Sequence, residues 1–386
     1  MRIALTTPMK PPDSPTPSGD RQMARAVLAA LEATGARVRL PSRFTCWRAE
    51  PDTTLTQAAV VELSEIIADP KRHGTPQAVV CYHLYHKAPD YIGYGIAQHF
   101  DIPYVVVEAS RAPKQAGGKW AAGYKATERM LARADQIGAL TRADKQCLAT
   151  VIAPDRLYQM RPFADLTSFL SCKRQRSHDG GAPTRLLCVA MMREGAKLAS
   201  YNVLMRALSL LPEEAAERFT LSIVGDGPAR AVVEAMVPEG LTAHTRFFGE
   251  VLAADMPAIY AAHDLLVWPA VKEAFGLCFL EAQASGLAVI GGASFGVPDV
   301  VYNGQSGLLC PQEDAAALAQ ALLQLLNDPQ RRQSMGDKAR ELMLAHHNLV
   351  AGGQQLKEML SKAVLFHTRK GHRNDLPHSV HHGGHT

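Results

Sequence analysis

Aromatic residues are scarce in this 386-residue chain, at 6%, and cysteine is scarcer, with seven residues at positions 46, 81, 147, 172, 188, 278 and 310. Seven is an odd number and no pair forms a CxxC. That argues against a disulfide framework and against a zinc ribbon, and it predicts reduced thiols of the kind found in a cytoplasmic protein. Long apolar runs are missing too. The stretch GLAVIGGASFGV at 286–297 is interrupted by glycine and falls well short of the roughly 20 residues a membrane span needs. The opening MRIALTTPMKPPDSP lacks an apolar core before its prolines, so no secretory signal is expected. A GxGxxG with an acidic residue about 20 positions later is also absent, which argues against a nicotinamide dehydrogenase. Charge of one sign is hardly in excess. The net value is +4, and residues 1–170 hold 21 Lys and Arg against 16 Asp and Glu, too small a surplus to indicate nucleic-acid binding.

What is present is ordinary for a folded α/β chain: 47% hydrophobic and 20% charged residues. At about 150 residues per domain, the length predicts two or three domains. The segment RIALTT reads as a short buried strand. It is followed by the loop PMKPPDSPTPSGD, then by a helix with apolar Met23, Val27, Leu28 and Leu31 on one face, ended by Gly35. The alternation continues with strands at 77–83, 103–110, 136–141 and 156–163 and helices near 89–99 and 118–134. A polar segment at 170–184 interrupts it as a linker. It then restarts with strands at 185–191, 219–225, 245–249, 264–269 and 288–292. The helices between and after them fall near 199–211, 228–236, 255–262, 277, 313–327 and 329–346. These spacings predict a parallel sheet in each half, covered by helices. The domain boundaries expected are 1–169, linker 170–184, and 185–349. A returning helix at 350–366 and a disordered tail at 367–386, which holds six of the fifteen histidines, complete the chain.

The most informative stretch is PAVKEAFGLCFLEAQASGLAVI at 269–290. A strand ends at Pro269, a short loop carries Lys272, Glu273, Phe275 and Gly276, and a helix begins near Leu277. In open α/β sheets, ligands bind beyond the carboxyl ends of the strands. A helix N-terminus there supplies unpaired N–H groups and the positive end of the dipole, a setting suited to a diphosphate. Glu273 and Glu281 are eight residues apart, close enough to reach opposite ends of one extended ligand. The plainer alternative has Glu281 solvated on its helix and Glu273 partnering the dipole.

This segment resembles the E-x7-E signature of retaining glycosyltransferases of family 4 (group 1), proteins of GT-B fold. FTLSIVGDGP at 219–228, MPAIYAAHDLLVWPAVKEAFGLCFLEAQASGLAVIGG at 256–292 and VPDVVYNGQSGLLCPQED at 297–314 resemble further blocks of that family, and ADLTSF at 164–169 stands where its first domain closes. The resemblance implies two Rossmann-like domains with parallel sheets facing a cleft. It also implies a metal-independent transfer of a sugar, with retention, from a nucleoside diphosphate sugar to a saccharide or glycolipid acceptor hydroxyl. Surface polysaccharide or glycolipid synthesis, in the cytoplasm or at the inner face of the membrane, would be its setting. Alternatives are a catalytically silent nucleotide-sugar-binding protein and a sugar-nucleotide epimerase of the same fold.

Carried over by position, the resemblance implies Glu273 beside the donor sugar and diphosphate and Glu281 on the ribose. The backbone of Phe275, Gly276 and Leu277 would lie on the distal phosphate or sugar, and Gly225, Asp226, Gly227 and Pro228 near the base. The family's Arg and Lys, six residues apart, fall on Met191 and Lys197, with Arg193 as a substitute for the missing Arg. In the first half, Gly19 matches the family's first-loop glycine on the donor phosphates; an ordinary strand–helix turn is the alternative, with Ser18 or Asp20 as its cap. Glu108 stands where many relatives have a His near the reacting sugar. Tyr82, His83 and Lys87 follow another strand end and are candidate acceptor contacts. On the helix at 118–134, Lys125, Arg129 and Arg133 recur at spacings of four after Trp120. They form either a solvated face or a contact with an anionic membrane or a phosphorylated acceptor.

Overall fold

The computed structural model describes residues 1–16, 18–69, 74–173 and 182–374. They divide into two units, one comprising Met1–Ala139, Asp144–Met160 and the chain from Gly353, the other Leu140–Ala143 and Arg161–Gly352.

In the first unit, short apolar runs become strands because each is covered on both faces. The strands are β1 (Arg2–Thr6), β2 (Arg37–Arg39), β3 (Ala78–Leu84), β4 (Tyr104–Ala109), β5 (Gln136–Ala139) and β6 (Leu157–Gln159). All pair in parallel in the order β2-β1-β3-β4-β5-β6, with Ile3 opposite Ala78 and Val105 opposite Gln136. Val79, Val80, Cys81, Val106 and Val107 are fully buried at its centre, as expected of a parallel sheet. Helix Gly19–Ala33 buries Met23, Val27 and Leu31, and Ser18 caps it by accepting the Arg21 N–H at 3.2 Å. The strand order reverses direction between β1 and β3. Buried Asp90 bridges the sheet there, accepting hydrogen bonds from Thr6 Oγ1 at 2.8 Å and Tyr104 OH at 3.0 Å.

The second unit holds β7 (Thr184–Val189), β8 (Phe219–Val224), β9 (Thr245–Gly249), β10 (Leu265–Trp268), β11 (Ala288–Gly292) and β12 (Gly307–Cys310). Their order, β12-β11-β10-β7-β8-β9, is again fully parallel. Renumbered within the unit, this is the 3-2-1-4-5-6 order of dinucleotide-binding sheets, with its reversal between β7 and β10. The first unit instead follows the 2-1-3-4-5 order of flavodoxin-type sheets. Both are doubly wound, and in both the crevice outside the strand ends at the reversal is the place for a ligand.

Three expectations need adjusting. β6 is only three residues long, because Pro162 has no N–H to continue the ladder. The expected boundary at 169/170 moves to 160/161, since Ala164 N–H bonds His347 O and His347 Nδ1 lies 2.6 Å from Pro162 O, tying this stretch to the second unit. The last helix runs Leu349–Asn374, eight residues beyond the expected 366. Its extension includes His367, which reaches the Asp101 carbonyl at 3.0 Å and the Asp135 carboxylate at 3.5 Å. The rest of the His-rich tail, from 375, and most of the linker, 174–181, lie outside the described residues. All seven cysteines are free.

Candidate active site

At the reversal of the second unit, two loops meet beyond adjacent strands. After β7 the chain turns through Gly195, whose φ of 80° suits glycine, into helix Ala196–Ser209, placing Lys197 in the first helical turn. A cation at a helix N-terminus opposes the dipole. Glu273, in the loop after β10, answers it: Glu273 Oε2 pairs with Lys197 Nζ and accepts a bond from Trp268 Nε1 at 3.3 Å. Lys197 Nζ also lies 5.3 Å from the centre of the Trp268 ring, which is fully buried and packs edge-on against Tyr201.

The loop Pro269–Gly276 is held from several sides. Ser200 Oγ accepts the Val271 N–H at 2.9 Å, Ser294 Oγ accepts the Glu273 N–H at 3.1 Å, and Ala274 O accepts the Gly296 N–H at 2.6 Å. These contacts fix Ala270 and Lys272 in left-handed conformations, φ 56° and 51°, which non-glycine residues seldom adopt. Gly276, φ 74°, caps helix Leu277–Ala284; a Cβ there would come within 2.8 Å of the Phe279 ring. Phe275, 6% exposed, anchors this turn so that the helix's first amides lie just beyond Glu273.

Glu281 lies about one turn into that helix, which starts at Leu277. It accepts a bond from Tyr260 OH at 2.8 Å. Burial raises its carboxyl to about 7 against the Tyr260 bond, which pulls the other way. This carboxylate is therefore not the solvated helix residue of the plainer alternative.

Gly225 and Gly227 let two stretches of backbone come together. A Cβ on Gly225 would lie 1.9 Å from Ala190 O and one on Gly227 2.2 Å from Met192 O. Met192 N–H bonds Asp226 O at 2.8 Å, and Ala229 N–H, next to Pro228, bonds Met192 O at 3.0 Å. The GDGP turn thus clamps the backbone of 190–192 and so sets where Lys197 emerges. The Asp226 side chain is engaged by Arg230 at 2.8 Å and by the Gly227 N–H. Met191 is half exposed, and Arg193 is exposed, with its carbonyl accepting the Leu198 N–H.

At the reversal of the first unit the chemistry is acidic. His83, ending β3, holds Asp20 Oδ1 at 3.0 Å from Nδ1. Its neighbour across the ladder, at the end of β4, is Glu108. Both have left-handed backbones, φ 66° and 62°. Burial alone would depress His83, but the Glu108, Asp20 and Asp144 carboxylates outweigh it and push the imidazole up to about 9. Burial raises Glu108, whose Oε2 is fully buried without a hydrogen-bond partner. Such a group costs about 1–3 kcal/mol. Ser110 Oγ stands 3.4 Å from Asp144.

The other candidates of this unit separate from that cluster. Tyr82 is 2% exposed, so its ring is core rather than ligand-facing. Lys87 lies 4.7 Å over the Trp120 ring. Gly19 is the first residue of its helix. On helix Ala121–Arg133, Lys125 and Arg129 are exposed, but Arg133 turns to Asp135 at 2.8 Å and Trp120 is buried. That breaks the expected basic stripe. Trp268, Ser294, Tyr260, Asp20 and Asp144 were not singled out from the sequence as ligand-site residues. Asp20 had a visible signal, since it follows the capping serine at a strand–helix turn. The others carried none without the strand order.

Two doubly wound parallel units, each with charged side chains gathered at its reversal point, define the class as α/β proteins of GT-B fold. Over the whole chain, a sucrose-phosphate synthase from Thermosynechococcus elongatus superposes with a TM-score of 0.73 at 20% identity, covering 94% of this chain and 98% of that one. The Anabaena protein HepE, solved in complex with UDP, superposes at 0.70 with 15% identity, covering 94% and 100%. Residues 177–342 match the model of the family described as glycosyl transferases group 1. A D-inositol 3-phosphate glycosyltransferase of Salinispora arenicola is 31% identical over 232 residues, 55% of this chain and 52% of that protein. A GDP-mannose-dependent alpha-(1-6)-phosphatidylinositol monomannoside mannosyltransferase of Mycolicibacterium smegmatis is 32% identical over 168 residues, 42% and 44%. The chain thus spans about half the length of the curated relatives it matches. No helix among the described residues is long and apolar enough to cross a membrane.

Proposed function

We propose that this protein is a retaining glycosyltransferase that moves a hexosyl group from a nucleoside diphosphate sugar to an acceptor hydroxyl, without a metal, in the synthesis of a surface polysaccharide or glycolipid on the cytoplasmic side of a membrane. The observation that carries the reading is the Lys197–Glu273 pair at the reversal of the second unit, immediately before the N-terminus of helix Leu277–Ala284.

Each group has a task its chemistry suits. Lys197 has three N–H donors. One holds Glu273 and two remain for diphosphate oxygens, where charge builds up as the sugar leaves. Exposed Arg193 supplies a second cation, and the amides at Phe275, Gly276 and Leu277 receive the distal phosphate or the sugar. Both bonds to Glu273 fall on Oε2, so Oε1 accepts a sugar hydroxyl. Glu281, ionised on binding, accepts the ribose hydroxyls. In the reaction, the bond between C1 of the sugar and the phosphate oxygen breaks and the acceptor oxygen bonds C1 from the same face. The hydroxyl proton passes to the departing phosphate. In the first unit, His83 and Glu108 bind the acceptor, with Tyr82 supporting Glu108 from the core.

A thermal-shift screen of nucleoside diphosphate sugars, followed by mass spectrometry of products with saccharide and lipid acceptors, tests this. Transfer that survives a chelator supports the metal-free reading, and complete loss with the chelator overturns it. A second reading, a silent sugar-nucleotide binder, is favoured by half-exposed Met191 where the family has a cation. It predicts donor binding with neither transfer nor donor breakdown.

A further inference from the structure

The pair at the second unit's reversal needs something to fix which oxygen of Glu273 faces outward. This step rests on the reading that Glu273 touches the donor sugar. The terminal torsion of a glutamate is broad and nearly two-fold, so the side chain alone does not choose between Oε1 and Oε2. Lys197 does not choose either, since an ammonium on a flexible stem can follow a carboxylate as it turns. The bonds that Ser294 Oγ and Ala270 O accept from the Glu273 N–H hold its backbone, not its carboxylate. Trp268 is the rigid partner. It closes β10 and is fully buried. Its indole has one donor and no acceptor, and that donor lies 3.3 Å from Glu273 Oε2. The ring is itself held: Tyr201 packs on it edge-on with ring centres 5.2 Å apart, and Tyr201 OH donates to Ala190 O at 2.8 Å. Ala190 O is the atom that the GDGP turn packs against at Gly225. A path of packed groups therefore runs from the turn through two aromatic rings to one carboxylate oxygen. The same indole ring lies 5.3 Å from Lys197 Nζ, within cation–π range.

We infer that Trp268 is a positioning residue: its indole N–H holds Glu273 Oε2 so that Oε1 stays turned to the donor sugar while Lys197 gives its other donors to the diphosphate. A partner that cannot swing keeps the carboxylate in one orientation as negative charge gathers on the leaving group. Groups fixed in advance in this way lower the barrier to reaction more than they strengthen binding. Trp268 is fully buried, so it acts through Glu273 and not on the sugar. The ring's second task is to keep Lys197 beside its carboxylate.

The full chain is assayed with the nucleoside diphosphate sugars of the screen, UDP-glucose and GDP-mannose among them, by release of UDP or GDP as the sugar passes to an acceptor or to water. Trp268→Phe keeps a ring for Tyr201 and Lys197 and removes the N–H. We expect kcat to fall about fivefold or more, with donor KM and the affinity for UDP or GDP within about twofold of the parent. A merely structural loss would move KM and nucleotide affinity as well. Replacing Trp268 by 3-benzothienylalanine, which keeps the bicyclic shape and has sulfur in place of N–H, should give the same split and serves if Trp268→Phe does not fold. In nitrogen-15-labelled protein, the Trp268 indole resonance, assigned with Trp47→Phe and Trp120→Phe, should shift in Glu273→Ala. Parental kcat in either folded variant, a loss that falls on KM instead, or an indole signal that Glu273→Ala leaves unmoved overturns the inference while transfer by the parent stands. A parent chain inert with every donor overturns the transfer reading, and a responsive indole then leaves the hold on Glu273 standing.

Discussion

The two units solve the same topological problem with opposite electrostatics. In the second, Lys197 and Glu273 pair with each other at the reversal, with helix amides beside them. In the first, one imidazole faces three carboxylates. A site that neutralises itself and adds backbone donors suits an anion. A site in which carboxylates hold an imidazole offers acceptors to a donor of hydrogen bonds. One sheet architecture thus supplies two chemistries, because the side chains at the strand ends, not the sheet, decide what binds.

The largest expected effect lies on the paired side. Glu273→Gln and Lys197→Ala should each lower transfer by more than tenfold, measured by mass spectrometry of product, with the melting temperature within a few degrees of the parent. Unchanged transfer in either would erase the contrast between the units. Next in size is Gly225→Ala. Its methyl has no room against Ala190 O, and φ is 136°. We expect a loss of about 1–3 kcal/mol or more in urea unfolding. Stability equal to the parent would show that the clamp on residues 190–192 is slack.

Glu281 sharpens the comparison through pH. Its carboxyl is raised from 4.5 to about 7, so the folded chain binds more protons than the unfolded one between those values. Its contribution is present at the acid end and disappears as pH rises through about 7. Nucleotide binding, which uses the ionised form, should strengthen over the same interval. Melting temperature and nucleotide affinity should therefore move in opposite directions with pH, and Glu281→Gln should flatten both. The smallest effect concerns His83, raised from 6.5 to about 9. The stability it adds is complete below 6.5 and is lost as pH rises through about 9. Asp20→Asn should bring its NMR titration midpoint down towards the ordinary value, and an unmoved midpoint would mean that Asp20 is not part of the acidic field.

Much of this was legible in the sequence. The strands and helices follow from short apolar runs alternating with amphipathic stretches, and Gly35 and Gly276 mark real turns. The loop Pro269–Gly276 was visible because Pro, Lys, Glu and Gly gather between a buried run and a helix. The partnership of Lys197 with Glu273 was not, since 76 residues separate them and only the placement of β10 beside β7 unites them. Asp20, His83, Glu108 and Asp144 are scattered likewise, and nothing in a histidine or a glutamate announces a left-handed backbone. The GDGP turn was legible as a motif, but its packing on residues 190–192 was not. Glycines that admit a ligand and glycines that admit another stretch of backbone look alike until the neighbouring chain is seen. The helix end at Asn374 escaped because polar, His-rich sequence carries no apolar period, while the contacts of His367 with Asp101 and Asp135 come from distant residues.

The closing helix has a consequence for how the molecule is made. Leu356, Met359, Leu360 and Ala363 are buried, Met359 lies against Gly138, and Tyr158 OH bonds Glu358 at 2.7 Å. The first half of the chain emerges from the ribosome with this apolar seat uncovered. It stays uncovered while some two hundred further residues are synthesised, until the helix from Leu349 follows and covers it.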